Sequence, residues 1–215
     1  MTPSLLPTID PAVQVRHLLE ERYQGRTLKT YRRGQIISMN SNDIWVVYRG
    51  VVQLSTLYPS GDEAILGLAV PLMPFGLPLT LTQPYQAIAL TDVDLMRLSL
   101  LEVEQSPALM QCVLHQLSRR LQQTEAFLAL AGYRRVEDRL LQLLQLLQHE
   151  LGQAVAGGVR LNVRLTHQHL ANAIGTTRVT VTRLLGQLRS RGDLTIDASH
   201  HIILKEGKFE PLMVD

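Results

Sequence analysis

A chain of 215 residues with 46% hydrophobic and 19% charged side chains has the length for one large or two small domains and the apolar content to bury a core. Its formal net charge of +2 excludes a uniformly basic or acidic protein, so a polyanion partner has to be sought in local clusters. One cysteine, Cys112, excludes an internal disulfide or a four-cysteine iron–sulfur site within the chain, and points to a reducing, cytoplasmic compartment.

The opening MTPSLLPTIDPA has neither the cationic start nor the long apolar run of a secretory signal. Ala64–Leu81 runs eighteen residues without a charge. Pro71, Pro74 and Pro78 would break a membrane helix there, so the stretch reads as a buried strand followed by a turn-rich loop. From Thr27 to Leu100 short strand-like runs alternate with glycines: Gln35–Ile37, Ile44–Tyr48, Val51–Tyr58, Ala64–Val70, Gln86–Ala89 and Leu95–Leu98. That pattern predicts a β-sandwich or barrel, with Pro59–Glu63 as a hairpin turn.

Ser99 and Glu102 have capping-box spacing for a short helix. After Ser106-Pro107 a long helix is predicted through about Gly132. Its stripe Met110, Leu114, Leu117, Leu121, Thr124, Leu128, Ala131 follows a 4-3-4-3-4-3 spacing, which is a heptad seam. The stripe is narrow and flanked by Arg119, Arg120, Gln122, Gln123 and Glu125, which favours a dimer seam over a helix packed on its own domain. A further leucine-dense helix follows Tyr133, and Gly152 and Gly157-Gly158 bracket a loop.

Residues 160–192 hold six arginines and no Asp or Glu, the local footprint of nucleic-acid binding. Within them, Thr166 caps a short helix, Gly175 supplies a tight turn, and Thr177 caps a second helix with Val181, Leu184, Leu185 and Leu188 on one face. The alternative is a β-hairpin over 163–181, which the alternating Thr and Val favour; caps, turn glycine and leucine spacing favour the helices. A recognition helix would then present Arg178, Val179, Thr182 and Arg183 to base edges. Thr166, His167, Gln168, Thr177 and Thr180 suit phosphate oxygens. Leu194–Gly207 reads as two short strands, the wing of a winged helix. His167/His169 and His200/His201 read as surface polar residues, and no metal site is expected.

This order resembles the Crp/Fnr transcription regulators from about Leu28 to Leu204. LTHQHLANAIGTTRVTVTRLLGQLR and LSRRLQQTE are most similar to the cyanobacterial nitrogen-regulator branch of that family. The resemblance implies an α+β chain. A cyclic-nucleotide-binding-like β-sandwich (jelly roll) would span 1–105 as the effector-sensing domain. A dimerisation helix would span 106–133, and a winged helix-turn-helix 134–215. It implies a homodimer that binds palindromic double-stranded DNA, works with RNA polymerase and answers to a small effector. Cyclic AMP is disfavoured, because residues 75–90 hold no Glu and no Arg. The nitrogen-regulator pattern for 2-oxoglutarate is matched at Phe75, Gly76, Leu77, Arg120 and Glu125, but Gln83-Pro84 stands where an arginine is expected. Cyclic di-GMP is the second candidate, on the R-x-x-x-R pairs Arg22/Arg26 and Arg135/Arg139, with a solvated or ion-paired basic face as the alternative. No glycine-rich phosphate loop, carboxylate pair or nucleophile elbow points to an enzyme. The competing class is a small-molecule-binding signalling protein that works through protein contacts.

Overall fold

The computed structural model describes residues 27–209. Its first half is a sandwich of two antiparallel sheets. One has the order β1 (Lys29–Tyr31), β7 (Val93–Ser99), β2 (Asp43–Arg49), β5 (Pro74–Phe75). The other has β4 (Glu63–Ala69), β3 (Val52–Leu57), β6 (Gln86–Ala89). Val47, Leu54, Ala69, Met73, Phe75 and Leu95 are almost wholly buried in its core. β2 and β7 are covered on their other face as well. Val46, Met96 and Leu98 pack with Val103, Leu109 and Val113 of the following helices, which is why IWVV reads as an unbroken apolar run rather than an alternating one.

The predicted strand over 35–37 is replaced by a single bridge, Ile36 to Ile88. With Gly34 at φ +84 and Ile36 63% exposed, the segment does not sustain a ladder. The short strands β1 and β5 carry too few residues for periodicity to register. α1 (Leu100–Gln105) starts with the predicted capping box: Ser99 Oγ accepts from the Glu102 amide, and the Glu102 carboxylate accepts from the Ser99 amide. α2 (Pro107–Leu130) is capped by Ser106 and ends two residues before Gly132.

α3 (Val136–Leu151) buries Leu140, Leu143, Leu144, Leu146, Leu147 and Leu151. The expected loop after it is instead a hairpin, β8 (Gly152–Val155) and β9 (Gly158–Leu161). Ala156-Gly157 is its turn, and Gly158 opens β9. A Cβ on Gly158 would strike the Leu204 carbonyl of the neighbouring strand, so the glycine permits a close strand approach rather than a flexible loop. Arg160 lies in β9, while Arg164 lies beyond it. α4 (His167–Ile174), α5 (Arg178–Ser190), β10 (Leu194–Ile196) and β11 (Ile202–Lys205) complete the chain, with sheet order β10-β11-β9-β8. Among the described residues no helix is long and apolar enough to cross a membrane.

Candidate nucleic-acid interface

α4 and α5 form a helix-turn-helix whose boundaries follow from local chemistry. Thr166 Oγ1 accepts from the His169 amide, and His169 Nδ1 accepts from the Thr166 amide, at 3.1 and 3.3 Å. Gly175 closes α4 in the left-handed region, at φ 61 and ψ 54, where a side chain would be strained. Thr177 Oγ1 then accepts from the Thr180 amide at 3.2 Å and starts α5.

The strand propensity of Val179-Thr180-Val181-Thr182 loses to burial. Valine and threonine give up at most about 0.7 kcal/mol each in a helix relative to alanine. Burying Val181, Leu184, Leu185 and Leu188 returns about 1.5–3 kcal/mol per side chain. The face opposite is open: Arg178, Thr182 and Arg183 are exposed, and Val179 is 78% exposed. An apolar residue so exposed at a helix N-terminus, between two arginines, fits contact with a thymine methyl better than a place in a core.

Three of the five expected phosphate-binding residues share a groove, and Thr177 and Thr180 lie outside it. Thr166, His167 and Gln168 line one open groove of about 540 Å³ with Arg164, Arg178 and the wing residues Ile196 and His200. Arg164 was missed as a member because it lies beyond β9 in the irregular stretch before α4, where no periodicity or cap singles it out. Several of the hydroxyls and amides are already engaged within the chain. Thr182 Oγ1 donates to the Arg178 carbonyl and meets His167 Nδ1 at 2.7 Å. Thr177 and Thr180 share a hydroxyl contact of 2.9 Å, and Gln168 Nε2 donates to Asn172 Oδ1 at 2.6 Å. The wing is fixed at its tip. Asp197 accepts from the His201 amide and faces Arg160, and these hydrogen-bonding and cationic neighbours hold its carboxyl below the usual range.

The second candidate region lies where α2 crosses the sandwich. Arg120 donates to the Pro74 carbonyl (3.5 Å) and to Tyr85 Oη (3.2 Å), directly beside buried Phe75 and Gly76. Tyr85 was not foreseen. It follows the Gln83-Pro84 position where the resemblance leads one to expect arginine, and burial raises its phenol pKa despite the guanidinium. Gln116 and Gln123 were missed too, although both are buried on the same face. Leu109, Val113, Gln116, Arg120, Gln123, Phe127 and Leu130 form a second 4-3-4-3-4-3 stripe, one residue out of step with the exposed seam. Its polar members are the signal that could have found them. Gln116 makes no side-chain hydrogen bond among the described residues. Leu77 is partly exposed, and Glu125 lies on the solvent side of α2 rather than beside Arg120.

The seam residues other than Leu117, which packs against the cluster of Val46 and Leu98, point away from their own sandwich. Met110, Leu114, Leu121 and Leu128 are 43–74% exposed, Thr124 and Ala131 are exposed, and Leu117 is half-buried. Arg135 and Arg139 occupy the start of α3, with Arg135 exposed and the Arg139 Nε buried without a hydrogen bond. Arg22 and Arg26 lie outside the described residues.

Comparison with known proteins agrees with this geometry. Residues 134–209 match the family model of the Crp-like helix-turn-helix domain. The chain is 35% identical to the global nitrogen regulator of Nostoc sp. over 181 residues, covering 79% of this chain and 81% of that one. It is 35% identical to the regulatory protein CysR of Synechococcus elongatus, covering 88% and 84%. Among solved structures, a Crp/Fnr-family transcriptional regulator of Thermus thermophilus superposes with a TM-score of 0.67 at 27% identity, covering 84% of this chain and 94% of that one. A cyclic nucleotide-binding domain containing protein of Listeria monocytogenes shares the fold at a TM-score of 0.74 and 19% identity, covering 92% and 99%. The sandwich, the long helix and the winged helix-turn-helix thus belong to one known plan, and the chain is a member of the Crp/Fnr family of DNA-binding transcription regulators.

Proposed function

We propose that this chain acts in the cytoplasm as a homodimer that reads a palindromic DNA site and changes affinity when its sandwich domain binds a small effector. The observation that carries the reading is the open face of α5, with Arg178, Val179, Thr182 and Arg183 exposed above four buried apolar residues. Arg178 and Arg183 would donate paired bonds to guanine O6 and N7, and Val179 would meet a thymine methyl. Thr166, His167, Gln168, Thr177 and Thr180 would set register on phosphates. The solvent-facing seam of α2 supports pairing of two chains, which would set two α5 helices one DNA turn apart, about 34 Å. RNA polymerase is the partner that such a regulator would engage.

For the effector, Arg120 beside Phe75 and Gly76 favours a small carboxylate, with 2-oxoglutarate as the first candidate. The unsatisfied Nε of Arg139 favours testing cyclic di-GMP at Arg135 and Arg139 in parallel. Selection of duplexes from a randomised library, followed by gel shift at two salt concentrations, tests the reading. A palindromic sequence should be enriched, resist competitor DNA and bind more weakly as salt rises. Failure to enrich any sequence would favour the protein-contact alternative. Thermal-shift screening with 2-oxoglutarate, cyclic AMP and cyclic di-GMP tests the effector, since a ligand of the folded state raises its apparent stability.

A further inference from the structure

Strand β4 is tied to other parts of the chain at both ends. Near its end, the Leu68 amide donates to Gln123 Oε1 of α2 at 2.8 Å, three residues along the helix from Arg120. At its start, Glu63 accepts on both oxygens. Gln53 Nε2 donates to Oε1 and Asn172 Nδ2 of α4 donates to Oε2, each at 2.8 Å. Asn172 Oδ1 accepts in turn from Gln168 Nε2 at 2.6 Å. Beside this chain of bonds, Ile65, Leu68 and Phe127 face Leu165, Leu170 and Ala173 across a space of only about 20 Å³. The sensor sheet is therefore docked closely on the first helix of the helix-turn-helix.

An ionised carboxylate only accepts hydrogen bonds, and charge-assisted bonds are about twice as strong as neutral ones. Glu63 thus fixes the Asn172 amide with its oxygen turned toward Gln168. Gln168 lies in the groove beside Arg178, and to donate this hydrogen to a DNA phosphate it must let go of Asn172. We propose that Glu63, Asn172 and Gln168 form an autoinhibitory latch, by which strand β4 of the sensor holds the Gln168 side chain on Asn172 through one of its two amide hydrogens and so keeps it from turning to the DNA backbone. Displacement of β4 through the Gln123–Leu68 bond would open the latch, which places its control next to Arg120. The inference rests on the DNA-reading assignment made above.

The test is fluorescence anisotropy of the full chain with a labelled duplex enriched from the randomised library, without added effector. Glu63→Ala and Asn172→Ala should each tighten binding about fivefold or more, the lower end of ordinary coupling between sites. Glu63→Gln keeps a carbonyl acceptor for Asn172 and should retain wild-type affinity. In a Gln168→Ala background, Glu63→Ala should give no gain, because the freed amide is gone. Unchanged or weaker binding by Glu63→Ala overturns the latch, and so does a gain that persists without Gln168. If neither wild-type protein nor the Glu63→Ala and Asn172→Ala variants bind any duplex, the DNA reading itself fails. Hydrogen exchange of the α4 amides then still reads the latch: it should quicken in Glu63→Ala relative to Glu63→Gln, and equal rates overturn it.

Discussion

His167 Nδ1 and Thr182 Oγ1 lie 2.7 Å apart and join the first turn of α4 to the reading face of α5. The same hydroxyl donates its one proton to the Arg178 carbonyl at 2.8 Å, so the histidine must be the donor and carry its proton on Nδ1. Thr182 then has no hydroxyl proton left for a base edge and offers its methyl. The bond is worth about 0.5–1.5 kcal/mol net. His167→Ala should therefore weaken DNA binding by roughly two- to tenfold. Thr182→Val keeps the methyl and breaks the same contact. The double variant should lose little more than either single one, read by anisotropy in a double-mutant cycle; fully additive losses would mean that the two residues act separately on DNA.

Arg178 and Arg183 should differ from the surrounding polar residues in kind of effect. Replacing either arginine by alanine should cost about 1–3 kcal/mol at the preferred site and relax the choice of base at one position of each half-site. Replacing Thr166 by serine, which keeps the helix cap, should leave base preference untouched. Repeating the randomised-library selection with each variant measures both effects. An Arg178→Ala protein that enriched the wild-type sequence would remove that residue from the reading face.

The helix-turn-helix was legible because its signals are local. Thr166, Gly175 and Thr177 act within three or four residues of themselves, and the leucines of α5 sit on one face whatever the rest of the chain does. The same locality made Ser99 and Glu102 readable as a cap. β5 and β8–β9 were not legible. Pro74-Phe75 becomes a strand by pairing with Val46 and Trp45, and Gly158 becomes an extended strand residue because Lys205 pairs with it. Such partners are set by tertiary structure and leave no period in the sequence. The Arg120 region divides differently. Arg120 was named through the resemblance of LSRRLQQTE to the nitrogen-regulator branch, whereas Tyr85 joins it across thirty-five positions of chain and no spacing rule connects them.

The seam of α2 gives a prediction that is independent of DNA. Leu114 and Leu128 are 62% and 74% exposed in the single chain, so charging them should not disturb their own domain. Leu114→Glu with Leu128→Glu should convert a dimer to a folded monomer in sedimentation velocity, with an unchanged circular-dichroism spectrum. Gln116→Glu, on the stripe one residue out of step, should instead destabilise the fold, since it would bury an unpaired charge. A double variant that stayed dimeric would place the interface elsewhere.

His169 makes the junction between sensor and DNA-binding domain sensitive to acid. Its ring lies among Gln53, Ile65, Phe127 and Leu143, and its Nδ1 must stay unprotonated to accept from the Thr166 amide. Burial lowers its pKa; the nearby Glu63 carboxylate opposes that shift and Arg33 adds to it. A histidine whose folded pKa is depressed contributes stability that is fully present above the ordinary histidine value of about 6.5. That stability is lost as pH falls below this value toward the lower folded pKa, because the unfolded chain takes up the proton first. Thermal melts between neutral pH and the carboxylate range should therefore show a fall in Tm that His169→Gln reduces, since glutamine carries no titrating proton. The Asp197 carboxyl, held below its usual range at the wing, adds a loss at still lower pH that His169→Gln leaves in place. If His169→Gln melted with the same pH dependence as wild type across the histidine range, the ring would not be the group that titrates at this junction.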